Sequence, residues 1–208
     1  GDYNVGVGHQ AAYYNTTGTE IVAVGHNALV TNTTGNYNVA VGGFALDANT
    51  TANDNTAIGY NALGVNTTGA SNSVLGAYAL DGNTTGANNV AVGRAALGVN
   101  STASNNTAVG YNALTANTTG ADNVAVGMSA LLSNTTASNN TALGRNTLES
   151  NTTGAGNTAL GRSALNVNNA SNNTAVGLSA LQQNTTGVQN TAVGAFASDA
   201  ITTAGNNT

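Results

Sequence analysis

The seventeen residues from Asn55 to Ser71, N-T-A-I-G-Y-N-A-L-G-V-N-T-T-G-A-S, decide the fold, because they return along the whole chain. Their first glycine, Gly59, has counterparts at Gly8, Gly25, Gly42, Gly76, Gly93, Gly110, Gly127, Gly144, Gly161, Gly177 and Gly194. Every step is 17 residues except the 16 between Gly161 and Gly177. Self-similarity at one short period marks a solenoid, in which each repeat buries its apolar residues against its neighbours. Positions are numbered from the Asn of the unit, so Asn55 is position 1 and Ser71 position 17.

A second period lies over the first. From Gly86 onward the residue after the N-T-T turn alternates, as in Gly86, Ala103, Gly120 and Ala137, which points to duplication of a two-coil unit. Gly1-Asp2-Tyr3-Asn4 matches Gly35-Asn36-Tyr37-Asn38, and Asn207-Thr208 begins another unit. Polar capping repeats, which isolated solenoids carry at their ends, are not evident. Residues 1–208 therefore read as a single tandem-repeat domain, a segment of a longer fibre.

Only 5% of the 208 residues are charged, against about 25% in ordinary soluble domains. Lys, Cys, Pro and Trp are absent, Gly numbers 27, and Asn with Thr makes up about a third of the chain. Three Arg without Lys cannot neutralise a phosphate backbone, so no nucleic-acid partner is expected. No apolar run reaches the length of a membrane span, so no membrane insertion is expected. Disorder is excluded on two counts. Disordered chains combine low hydrophobicity with high net charge, whereas this one is 40% hydrophobic with a net charge of −5, and its apolar residues recur at fixed spacing.

The unit lacks the charged, Ala/Leu/Glu/Lys-rich surface of a helix and is rich in Thr, Val and Gly. It predicts an all-β parallel β-solenoid of about twelve 17-residue coils, with two short strands per coil. The strands would be N-T-A-V and x-A-L, joined by the glycine corner and the N-T-T-G turn. Coils stacked as parallel strands about 4.8 Å apart would extend about 58 Å. Position 4 (Val24, Val41, Ile58 and their copies) and position 9 (Leu29, Leu46, Leu63 and theirs) are assigned to the interior. The Ala ladders at positions 3 and 8 line the other surface, where small residues would permit close approach of another chain or of the second strand, a pattern that leans towards side-by-side packing of several chains. The 16-residue step is expected as a shortened turn at Asn168 and Asn169, with Val176 and Leu181 still facing inward.

The stretch Asn106 to Gly120, N-T-A-V-G-Y-N-A-L-T-A-N-T-T-G, resembles the head repeats of trimeric autotransporter adhesins, which carry a similar S-V-A-I-G core. It is closer still to the N-T-A-x-G-x-x-A-L-x-x-N-T-T-G arrays of phage tail-fibre-like proteins. The resemblance covers the whole chain. It implies a left-handed parallel β-roll, three chains around an axis, and a role in attachment or as a stalk.

Chemistry has few places to reside. His9 and His26 occupy position 6 of successive coils, but zinc sites take three or four ligands, and no Cys or further His is present. Acids are too sparse for a calcium-binding β-roll, and the G-x-G at Gly6 to Gly8 lacks the helix of a nucleotide fingerprint. No catalytic residue, metal site or cofactor is assigned, and no enzyme activity is expected.

Every Arg and His lies at position 6, as His9, His26, Arg94, Arg145 and Arg162, alongside Tyr60, Tyr111 and Met128 at the same position. The stripe reads as a receptor-contacting surface, for a cell-surface glycan or a protein, or more simply as a solvated edge. The N-T-T and N-S-T triplets at Asn15, Asn32, Asn49, Asn66, Asn83, Asn100, Asn117, Asn134, Asn151 and Asn184 are N-glycosylation sequons. Further sequons begin at Asn105, Asn139, Asn169, Asn172 and Asn206. The alternative for the triplets is an asparagine ladder, each amide bonding its copy one coil away. Glycans about 4.8 Å apart would crowd one another, which favours the ladder, and Ile201 would interrupt either arrangement. The functional expectation is a structural or adhesive fibre segment, extracellular, on a cell surface or virion, partnered with itself as a homotrimer or continuing filament. A glycan-coated filament and an ice-binding solenoid are the alternatives.

Overall fold

The computed structural model describes residues Gly1–Thr208. It is all-β, with twelve strands in one parallel sheet in sequence order. These are β1 (Val5–Val7), β2 (Val22–Val24), β3 (Val39–Val41), β4 (Thr56–Ile58), β5 (Ser73–Leu75), β6 (Val90–Val92), β7 (Thr107–Val109), β8 (Val124–Val126), β9 (Thr141–Leu143), β10 (Thr158–Leu160), β11 (Thr174–Val176) and β12 (Thr191–Val193). Coils are numbered below by their strands. Each position pairs with its own copy, as in Ala40 with Ala57 and Ala91 with Ala108. The chain is a parallel β-solenoid with 17-residue coils.

The interior reverses part of the sequence reading. Ala at position 3 is fully buried in coils 2 to 4, as are Ala at position 8 and Leu at position 9, and all join one core of 31 residues. Position 4 faces outward instead: Leu75 is 50% exposed and Leu143 47%. The reason lies in the pleat. Adjacent strand residues point to opposite faces, so either position 3 or positions 2 and 4 can face inward, but not both sets. Leu at position 9 fills the width of the coil, which leaves room opposite for little more than a methyl group. Val74 is the one larger side chain accommodated at position 3.

The expected second strand is absent, and the x-A-L segment is a turn. Positions 7 and 9 take left-handed backbone, with φ of 55° at both Asn61 and Leu63, and Ala62 between them does not. That sequence of conformations turns Ala62 and Leu63 both inward, which a pleated strand forbids. The segment still stacks coil on coil. Leu63 N–H donates forward to the Ala79 carbonyl and Asn61 N–H backward to the Gly43 carbonyl, each at 3.0 Å. Left-handed backbone costs a non-glycine residue about 1–2 kcal/mol, which burial of a leucine, at about 1.5–3 kcal/mol, offsets.

Glycine at position 5 joins the two sides. Gly110 has φ of 137°, and a Cβ added there would sit 2.6 Å from the Gly127 carbonyl oxygen. The 16-residue step falls in the turn, as expected. Strand register is kept across it, with Thr158 opposite Thr174 and Ala159 opposite Ala175. Asn168 Nδ2 donates to the carbonyl two residues on, at Ala170, where Asn151 reaches three residues on to Gly154. Leu181 is buried, but Val176 is half-exposed like the rest of position 4.

Candidate functional site

Two asparagine ladders flank the apolar core. At position 12, Asn32, Asn49, Asn66, Asn83, Asn100, Asn117, Asn134, Asn151 and Asn184 are fully buried, while Asn15 is half-buried. Asn49 Nδ2 donates to Asn32 Oδ1 at 2.9 Å and to the Ala52 carbonyl at 3.1 Å, and the pattern repeats up the stack. The second ladder, at position 1, was missed in the sequence. Asn72 donates its backbone N–H and its Nδ2 to Asn55 Oδ1, at 3.0 and 3.1 Å, and its Nδ2 also reaches the Gly86 carbonyl at 3.0 Å. That same carbonyl accepts Asn83 Nδ2 at 2.9 Å. In most coils one turn carbonyl is thus held by both ladders, coils 2, 11 and 12 being the exceptions, and the ladders supply buried backbone with the partners it requires. The signal was available: Asn stands at position 1 in every coil but the second, where Ile21 is buried in its place. Ile201 interrupts the position-12 ladder, leaving the buried Asn184 Oδ1 without a partner.

Two exposed features remain. The first is the outward face of the sheet, with Val, Ile or Leu at position 4 beside Val, Thr or Ser at position 2 along all twelve strands. The second is the edge just beyond the glycine corner. His9, His26, Tyr60, Arg94, Tyr111, Met128, Arg145 and Arg162 are all exposed along it. The structure brings the first five together through two residues outside the stripe as first read, Phe44 and Tyr78 at position 7. His9 stacks on His26 (5.2 Å between centroids, 10° between planes), and His26, Phe44, Tyr60 and Tyr78 follow edge-to-face at 5.1, 5.9 and 5.5 Å. Arg94 lies 5.8 Å from the Tyr78 ring and 5.9 Å from the Tyr111 ring. Met128, Arg145 and Arg162 continue the line without a ring contact.

Next to this edge, burial pushes the Asp47 and Asp81 carboxyls above their ordinary value. Backbone N–H groups of Asp47 and Ala48 oppose the shift at Asp47, and the Asn61 amide, 2.6 Å from Asp81 Oδ1, opposes it at Asp81. The molecule encloses no ligand-sized cavity. Comparison with protein-family models, curated proteins and solved structures finds no match.

Proposed function

We propose that this chain is a structural and adhesive segment of an extracellular fibre, on a cell surface or virion, that acts by shape and surface. The observation that carries this reading is the outward sheet face, an unbroken aliphatic row running the length of the solenoid. Contiguous exposed apolar surface of this extent marks an interaction site. Each face is only three residues wide, so it suits convergence of several narrow ribs on one axis, and three copies close such a bundle with every face covered. The resemblance to trimeric autotransporter adhesin heads and phage tail-fibre arrays supports the same arrangement. Because the Ala ladders lie inside the coil, Val, Ile, Leu and Thr would line the axis, in place of the small residues expected from the sequence.

Sedimentation tests it. The chain should sediment as a trimer or larger at micromolar concentration, and a Val92→Asp/Val126→Asp double variant should sediment as a single chain with its β-sheet spectrum intact. A wild-type chain that stays single overturns the proposal.

Geometry weighs against the alternatives. At Asn49 the side-chain amide is buried and donates to two acceptors, so a glycan there requires the turn to open. The exposed sequon asparagines, such as Asn105, Asn139 and Asn172, are the ones left accessible. For ice binding, the adjacent Thr rows do not form one plane. Thr67 is half-buried and donates to the Thr84 carbonyl at 3.0 Å, while Thr68 is exposed.

A further inference from the structure

The edge beyond the glycine corner carries one large side chain per coil with a regularity that neither position shows alone. Position 6 supplies it in most coils. Where position 6 is Gly43, Ala77 or Ala195, position 7 supplies Phe44, Tyr78 or Phe196 instead. The exchange is one of composition: a Cβ at Gly43 would meet the Tyr60 ring at 3.6 Å, an ordinary contact. The core does not require it, since these side chains lie outside the buried cluster. The result is a row of aromatic rings and one guanidinium group, from His9 to Tyr111, at spacings of 5.1 to 5.9 Å. Tyr60, Tyr78 and Tyr111 are 50%, 40% and 48% exposed.

We propose that this line binds an extended acidic polysaccharide lying along the solenoid axis, with successive sugar rings over successive coils. Four features converge on that ligand. With no cavity, a ligand must be recognised along the surface. A line that places one large side chain on each coil suits a polymer whose unit is close to the coil spacing of about 4.8 Å, and a pyranose ring is of that length. A globular protein without internal repeats presents no such translation. The apolar face of a sugar ring packs on exposed aromatic side chains, whose polar tips hydrogen-bond its hydroxyls. Finally, all three Arg of the chain stand on this line, in a protein of net charge −5, and guanidinium is the side chain best shaped for carboxylates. The acids nearest the line are turned to amides: Asp81 accepts from Asn61, and Glu149 from Asn146 and Asn166.

This inference gives the adhesive role proposed above its ligand. It is tested by titrating the full-length assembled chain with a galacturonic-acid hexasaccharide, the matching trisaccharide, and a neutral galactose hexasaccharide. The acidic hexasaccharide should bind more tightly than the trisaccharide, and added salt should weaken it. The Tyr60→Ala/Tyr78→Ala variant and Arg94→Gln should each lower the affinity at least tenfold, and Tyr60→Phe should restore most of what Tyr60→Ala removes. No binding, equal binding of the neutral sugar, or variants that lose thermal stability while keeping full affinity would overturn it. The last outcome would make the line a staple between coils. Sedimentation of the same samples separates the two proposals. A chain that assembles and ignores the sugar overturns only this one, and a single chain that binds the sugar overturns only the fibre.

Discussion

The two long sides of each coil stack through the same kind of coil-to-coil backbone hydrogen bond, yet they use opposite conformations. On one side, positions 2 to 4 are pleated, and only Ala at position 3 faces inward. On the other, left-handed residues at positions 7 and 9 turn two neighbours inward together, Ala113 and Leu114 in coil 7. Parallel stacking therefore demands less of a backbone than β-structure does. It needs carbonyls and N–H groups aimed along the axis, and the turn side achieves that with Asn112 N–H donating backward to Arg94 at 3.1 Å and Leu114 N–H forward to Ala130 at 2.9 Å. The strand side keeps its large side chains for the outside, and the turn side spends them on the core.

The sharpest way to break this arrangement is at the corner between the sides. Gly110→Ala adds a Cβ 2.6 Å from the Gly127 carbonyl oxygen, at φ of 137°. Backbone strain of about 1–3 kcal/mol adds to the displacement of the next coil. Urea unfolding should show a loss of about 3 kcal/mol or more, within the range reserved for backbone and core defects. Ala at this position with an unchanged midpoint would mean that the coils are spaced more loosely than described.

A gentler comparison substitutes each side in turn. Leu114→Ala should cost about 2–5 kcal/mol, as buried leucines do when a cavity is left. Val109→Ala, on the outward face, should cost under about 1 kcal/mol in a single chain, because it removes little buried area. In an assembled fibre the second value should rise towards that of a buried residue. Unfolding measured above and below the association concentration therefore reports whether the face is covered.

Much of this was legible in the sequence, and the misreadings share one cause. The period, the parallel stack, the turn that absorbs the missing residue and the burial of Leu63 and its copies follow from spacing alone. Positions 3 and 4 were exchanged because bulk was taken as the sign of the interior. In a coil this narrow, Leu63 leaves its opposite neighbour room for little beyond Ala57. The second strand was inferred from Ala62-Leu63, although two adjacent constant apolar residues contradict the alternation of a strand. The ladder at Asn55 and Asn72 went unread because the sequon drew attention to Asn66 and Asn83. Phe44 and Tyr78 escaped because the stripe was followed at one position, when the structure builds it from two.

The smallest effect concerns the turn that closes the comparison, where the two sides meet and both asparagine ladders grip one carbonyl. In coil 12 that grip is half lost. Ile201 stands at position 12, so the Ala204 carbonyl receives Asn190 Nδ2 at 2.9 Å but no second amide, and Asn184 Oδ1 is buried without a donor. Ile201→Asn would place Nδ2 between these two acceptors, as Asn184 Nδ2 is placed between Asn168 Oδ1 and the Gly187 carbonyl, at 2.9 and 2.8 Å. Each intramolecular hydrogen bond contributes about 0.5–1.5 kcal/mol net, and satisfying a buried acceptor removes a penalty of similar size. Against this stands the loss of Ile201 itself, only partly buried against the core. The balance favours Asn by about 1 kcal/mol. It should appear as slower hydrogen exchange at the Thr185 and Thr186 amides, which donate to the Thr202 carbonyl in the same turn. Ile201→Ala is the control: it removes the same apolar contact without supplying an amide, and exchange there should quicken. If Asn and Ala behave alike, the ladders are a consequence of stacking and contribute little to holding the coils together.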